Sequence, residues 1–155
     1  GPLSSPAKVK RQVIGIFNKK WMKPFAEALK ENNVVHAYIV HSDDAMDEIS
    51  PFAKTNIVEL KDGKINEFTI DPRDLGLNSG NKENLKGKNA EYNSEKIIEI
   101  YKGTSNEFSQ SVALNAAAGL IVAGKENDFK NAFKKASEHL NSGKVFEHLK
   151  KLQSK

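Results

Sequence analysis

Residues 13–40 constrain the fold more than any other stretch. Two apolar, β-branched runs, Val13-Ile14-Gly15-Ile16-Phe17 and Val34-Val35-His36-Ala37-Tyr38-Ile39-Val40, flank a segment in which Trp21, Phe25 and Leu29 recur every four residues beside Met22 and Ala26. Runs of that kind read as strands, and a four-residue repeat gathers its side chains on one face of a helix. Asn18 offers a side-chain oxygen to cap that helix. Pro24 is tolerable only in the first turn, where its missing N–H would have had no partner. A helix between two strands is the crossover that parallel pairing requires, so a β-α-β unit is expected. In such sheets, ligands gather beyond the carboxyl ends of the strands.

The next segment reads differently. In "TNIVELKDGKINEFTI" the Asp62-Gly63 pair suits a type I′ turn, whose two central positions need positive φ. Ile57, Glu59 and Lys61 alternate with Val58 and Leu60, so an antiparallel hairpin is expected. "DPRDLGLNSGNKENLKGKN" is rich in turn formers and predicts an ordered, irregular connection, in which "GLNSG" is too generic for a phosphate loop. Four helices then follow. Ser94 can cap the first, which carries Ile97, Ile98 and Tyr101 and closes at Gly103. The second, "EFSQSVALNAAAGLIVAG", is apolar or small nearly all round and is expected to be buried. Phe129, Ala132, Phe133, Ala136 and Leu140 mark the third, which ends near Gly143, and Val145, Phe146, Leu149 and Leu152 the fourth. The expected class is α/β: a β-α-β unit with parallel strands plus an antiparallel hairpin, packed against C-terminal helices.

Composition bounds the function. A chain of 155 residues is one domain or a piece of one. It holds no cysteine, which excludes disulfides and thiolate chemistry and agrees with a reducing, cytoplasmic setting. The longest apolar run, residues 114–124, is too short to span a bilayer. The net charge of +4 is dispersed as lysine, whereas nucleic-acid binders cluster theirs, so nucleic acid is not the expected partner. Lys8, Lys10 and Arg11 are accordingly expected to be solvated.

The chemistry concentrates in "HSDDAMDEIS", residues 41–50, directly after the second strand. Asp43, Asp44, Asp47 and Glu48 crowd together there. Like charges about 4 Å apart repel by about 4 kcal/mol at an effective dielectric near 20. They stay together if solvated, if one is protonated, or if a cation lies between them. Magnesium takes one or two such carboxylates plus substrate phosphates. An EF-hand is excluded, because Ala45 and Met46 stand where its next ligands would be and no glycine makes the turn. On the residues alone, a solvated acidic loop and a metal site both remain open. His36 and His41 face opposite sides of one strand and cannot share a metal. With His139 and His148 they are expected at the surface or at helix caps. Asn115 could hydrogen-bond a neighbouring loop or meet a ligand, and the loop is the expected role.

The stretches "GPLSSPA", "RQVIGIF", "PFAEALKE", "DEISPFAKTNIVEL", "DPRDLGL", "LNAAAGLIVAG" and "SGKVFEHL" occur in order over essentially the whole chain. Together they resemble the anthranilate phosphoribosyltransferase family. The resemblance implies a phosphoribosyltransferase and nucleoside phosphorylase-like three-layer fold, incomplete here. It implies transfer of phosphoribosyl from 5-phosphoribosyl 1-pyrophosphate to the amine of anthranilate, in tryptophan biosynthesis, with Mg2+. The family's adjacent Asp-Glu, which holds one magnesium ion, falls on Asp47 and Glu48. Asp43 and Asp44 do not match it and are expected to be solvated loop. The Gly-Pro that lines the family's anthranilate site falls on Gly1 and Pro2. A Gly-Pro start is also what a protease leaves, but Gly1-Pro2-Leu3 resembles an internal stretch of the family.

Residues 1–155 are therefore expected to be the C-terminal part of the α/β catalytic domain. The family's N-terminal helical domain, pyrophosphate loop, anthranilate-contacting arginine and further metal ligands would lie upstream. The resemblance implies that the N-terminal half of the same enzyme completes the site, that the complete enzyme is a homodimer, and that this stretch alone is inactive. Two other classes share the architecture: a pyrimidine nucleoside phosphorylase-like enzyme, against which the Asp-Glu-Ile-Ser stretch argues, and a non-catalytic nucleic-acid-binding relative. A split enzyme completed by a second polypeptide is a third alternative.

Overall fold

The computed structural model describes residues 2–4, 6–77 and 80–154, residue 2 by its backbone alone. Strands β1 (Arg11–Gly15), β2 (His36–Ser42), β3 (Thr55–Lys61) and β4 (Lys64–Ile70) form one mixed sheet in that spatial order. β1 and β2 pair in parallel, with Val13 opposite Tyr38 and Gly15 opposite Val40. Helix α1 (Met22–Glu31) is the crossover between them. β3 runs antiparallel to β2 and joins β4 through Asp62 and Gly63, at φ 49° and 77°, which is the type I′ hairpin expected from that dipeptide.

Both expected strands are shifted by two residues. β1 starts earlier because Arg11 already pairs with His36, and its last ladder bond runs from Ile16 N–H to Val40 O; Phe17 then stands 76% exposed. β2 starts later because Asn33, at φ 55°, turns the chain after α1 and sends the Val34 N–H back to Leu29 O. Asn18 does cap, but what it caps is a short 3-10 turn, Lys19–Trp21, that leads into α1. Pro24 lies in the first turn of α1, as its chemistry demands.

The sheet is covered on both faces. On one, Ile14, Ile16, Ala37, Ile39, Val58 and Leu60 pack against Met22, Ala26 and Leu29 of α1. On the other, Tyr38, Val40, Ile57 and Ile70 meet helices α3 (Glu107–Val122) and α4 (Phe129–Asn141), through Leu114, Ala117, Ala118, Ile121 and Ala132. The alanines let α3 lie close to the strands. β2, apolar on both sides, is the buried centre, as a continuous apolar run predicts for a strand paired in parallel. Helices α2 (Ala90–Tyr101) and α5 (Lys144–Gln153) contact α4 and each other at the periphery. The result is a three-layer α/β arrangement. Among the described residues no helix is long and apolar enough to cross a membrane.

Three local expectations need correction. The N-cap of α2 is Asn89, whose side chain accepts from Tyr92 N–H; Ser94 sits inside the helix with its hydroxyl on Glu91 O. α3 is not buried all round, because Val112 (39% exposed) and Ala116 lie on a face that no described residue covers. Lys10 and Arg11 are not merely solvated: each donates to a backbone carbonyl, Lys10 to Asn33 O at 2.9 Å and Arg11 to Val122 O at 2.5 Å. The irregular connection contains two 3-10 turns, Pro72–Leu75 and Lys82–Leu85, with Gly76 at φ 78°; Asn78 and Ser79 of "GLNSG" lie outside the described residues.

Candidate functional site

The acidic segment leaves β2 at Ser42 and folds back over the carboxyl ends of β1 and β2. Its first turn is tight. Ala45 N–H donates to Ser42 O, Ser42 N–H donates to Met46 O, and Ala45 takes a left-handed conformation at φ 65°. A side chain there costs about 1–2 kcal/mol, partly offset by the chain entropy that glycine would lose on folding. Ala45→Gly is therefore expected to raise the melting temperature by about 2–4 °C, for a gain of about 1 kcal/mol in a chain of this size, as a thermal melt would read.

Hydroxyl groups tie the segment down. The Ser42 hydroxyl donates to Glu48 O at 2.6 Å, which leaves the Thr55 hydroxyl to donate to Ser42 Oγ, also at 2.6 Å. Ser50 N–H donates to both of these oxygens. The Ser50 hydroxyl donates to Asp44 Oδ2 at 2.7 Å and accepts from Phe52 N–H and Ala53 N–H. From the other side, Asn115 of α3 reaches Ile49. Its Oδ1 accepts from Ile49 N–H at 3.0 Å, and its Nδ2 donates to Ile49 O at 3.2 Å. Asn115 thus takes the loop-bonding role expected for it. At β1, a Cβ added to Gly15 would lie 1.7 Å from Asp47 O, so only glycine admits the segment there.

The four carboxylates now separate into two pairs. Asp43 accepts from Asn56 Nδ2 at 2.8 Å, and Asp44 holds the Ser50 hydroxyl. Both serve the loop's own structure and are not simply solvated. Asp47 and Glu48 are exposed, and among the described residues their carboxylates make no hydrogen bond or ion pair. Both line a cleft of about 410 Å³, together with Val13, Gly15, Val40, Ser111, Val112 and Asn115. Among the described residues no group of three or more His, Asp or Glu side chains could hold a metal by itself. Two free carboxylates on an open cleft are the donor set magnesium takes when substrate phosphates complete its shell, so the residues fit that ion.

The other candidates are not at this cleft. Gly1 lies outside the described residues, and of Pro2 only the backbone is described, in the turn Pro2–Ser4. His36 overturns its expected surface position: it is buried, 2.8 Å from Glu59 Oε1 and edge-on to Tyr38. Burial first, and then the Glu59 carboxylate, push the Tyr38 hydroxyl above its usual pKa and keep it protonated. His41 anchors to Ile16 O at 2.7 Å, while His139 and His148 are exposed. The hydroxyls of Ser42, Ser50 and Thr55, the buried Ser111 in the cleft wall, and Gly15 were not singled out from the sequence. Only Gly15 left a signal there, as a glycine inside a strand, which marks a close backbone approach.

Residues 1–146 match the family described as "Glycosyl transferase family, a/b domain". An anthranilate phosphoribosyltransferase of Pelagibacter ubique is 52% identical over 154 residues, 99% of this chain and 47% of that protein. The crystal structure of anthranilate phosphoribosyltransferase from Thermus thermophilus superposes with a TM-score of 0.85 at 32% identity, over 97% of this chain and 44% of that one. The Saccharomyces cerevisiae enzyme in complex with PRPP and Mg shares the fold, with a TM-score of 0.84 at 21% identity over the same shares. The chain thus spans less than half the length of the relatives it matches, and the match falls on their C-terminal portion.

Proposed function

The chain belongs to the glycosyl transferase family through its a/b domain, and from that membership we propose that it contributes the metal-holding part of an anthranilate phosphoribosyltransferase. The substrates would be 5-phosphoribosyl 1-pyrophosphate and anthranilate, in cytoplasmic tryptophan biosynthesis. The other partners would be the enzyme's N-terminal portion and, in the complete enzyme, a second copy of the whole. The observation that carries the reading is the division within one loop: Asp43 and Asp44 are tied up in its structure, while Asp47 and Glu48 are free, exposed and on the cleft.

Asp47 and Glu48 would hold Mg2+ directly or through water, leaving its other positions to the phosphate oxygens of the substrate. When bound, the ion neutralises charge as it develops on the departing pyrophosphate. Gly15 keeps the end of β1 clear, so that Asp47 can lie against it. Val13, Val40 and Val112 contribute apolar lining to the same cleft. The protein's work is placement and charge: the ribose carbon turns oxocarbenium-like, and the aromatic amine attacks from the face opposite the leaving group.

The test is a chimera in which this chain replaces the matching C-terminal portion of the Pelagibacter relative. Anthranilate fluorescence is expected to decay only when PRPP and Mg2+ are both present, and the chain by itself is expected to turn over nothing. A folded chimera that leaves anthranilate untouched, or that cleaves pyrimidine nucleosides with phosphate, would overturn the assignment.

A further inference from the structure

We propose that Asn115 is a positioning residue for the acidic pair: its carboxamide reads the backbone of Ile49 as a neighbouring strand would, and so fixes the course of the chain through Asp47 and Glu48. The inference rests on the metal reading of those two side chains and adds the group that aims them. Three hydrogen bonds use both N–H donors and one lone pair of the carboxamide. Oδ1 accepts from Ile49 N–H, and Nδ2 donates to Ile49 O and, at 2.9 Å, to Ser111 O one turn back on α3. The bond to Ser111 O ties the side chain to its own helix, and the other two then carry that fixed direction into the loop. Ile49 itself is fully buried against Tyr38, Val40 and Leu114, so its backbone groups have no water to fall back on. This explains a polar side chain in the middle of an otherwise apolar or small helical run, where alanine or leucine would favour the helix more.

Glu48 O is held from the opposite side by the Ser42 hydroxyl. The peptide linking Glu48 to Ile49 is therefore gripped by α3 at one end and by β2 at the other. Without Asn115 the anchors at Met46 O, Glu48 O and the Ser50 N–H would remain, but the Ile49 end of that peptide would be released, and its tilt would change the course of the chain that aims both carboxylates.

The test uses the 155-residue chain and needs no turnover. Ile49 amide hydrogen exchange is measured in the wild type, in Asn115→Leu and in Asn115→Ser, the last a small polar variant that keeps the comparison open if the first does not fold. Exchange is expected to be about tenfold to a hundredfold faster in the variants, the effect of losing a hydrogen bond to a buried amide. Mn2+, a paramagnetic ion with the same taste for carboxylate oxygen, is then titrated with inorganic pyrophosphate present, which supplies the phosphate oxygens its shell needs, while the Asp47 and Glu48 amide resonances broaden. The concentration for half-maximal broadening is expected to rise about tenfold in the variants, the lower range for loss of a group that orients a metal ligand. Unchanged Ile49 exchange overturns the proposal. So does faster exchange with an unchanged Mn2+ response, which would make Asn115 a structural tie and nothing more. If Mn2+ broadens neither residue in the wild type, the metal reading of Asp47 and Glu48 falls, and the positioning role falls with it. The two kinds of failure are thereby told apart.

Discussion

Asp47→Asn combined with Glu48→Gln, placed in the chimera, is expected to abolish magnesium-dependent turnover while the fold stays intact. The amides keep the shape of the acids and remove only their charge. Neutralising a leaving pyrophosphate is worth several kcal/mol, and at about 1.4 kcal/mol per tenfold this sets a loss in kcat/KM of about a thousandfold. Stability should not follow. Both side chains are exposed and bonded to no described residue, so nothing buried loses a partner. Relief of their mutual repulsion would offset any small loss. Assay and thermal melt together therefore decide the matter. If the double variant kept its Mg2+ dependence, or melted far below the parent, the pair would be loop structure and not a metal site.

Gly15→Ala is expected to be nearly as damaging, by a different route. The added methyl carbon would stand 1.7 Å from Asp47 O and 2.8 Å from the same residue's carbonyl carbon, both backbone atoms that cannot swing aside. Either β1 leaves the sheet or the acidic segment lifts off it. Overpacking of this kind costs about 1–3 kcal/mol, and the upper end applies where backbone must move. A thermal melt is expected to show a drop of roughly 5–10 °C. A displacement of about 1 Å at a positioned group can by itself cost about a hundredfold in rate, so activity in the chimera should fall even at temperatures where the variant is folded. A variant that melted and turned over like the parent would show that Gly15 does not seat the acidic loop.

Much of this architecture was legible in the residues, and the exceptions have physical reasons. The β-α-β unit and the Asp62-Gly63 turn were readable because their signals are local: periodicity over a few turns and a dipeptide that tolerates positive φ. The strand ends were not, because pairing with a neighbour sets them, and Arg11 and Ser42 join the ladder through partners distant in sequence. His36 reads as a surface residue because nothing beside it in sequence promises an acid. Glu59 reaches it only through the antiparallel register of β2 and β3. The cap of α2 moved to Asn89 because several polar residues there could each have taken the role.

The site divides in the same way. Asp47 and Glu48 came from a family pattern, not from chemistry, since the residues alone left four carboxylates equivalent. What separates them is the Asn56 carboxamide on Asp43 and the Ser50 hydroxyl on Asp44, two residues that look like ordinary strand and loop positions until the chain folds. Asn115 was visible as an oddity, a carboxamide in an apolar helix, but its partner Ile49 lies sixty-six positions away.

The segment's anchors have one more consequence. Met46, Glu48, Ile49 and Ser50 each have a backbone group held from outside the turn, and Asp47 O is wedged against Gly15. The two residues with idle side chains thus sit on some of the most tightly tethered backbone of the loop. Such a scaffold is preorganised: a dication arriving here need not freeze a wandering chain, and the ordering entropy that weakens flexible acidic loops has already been settled by folding.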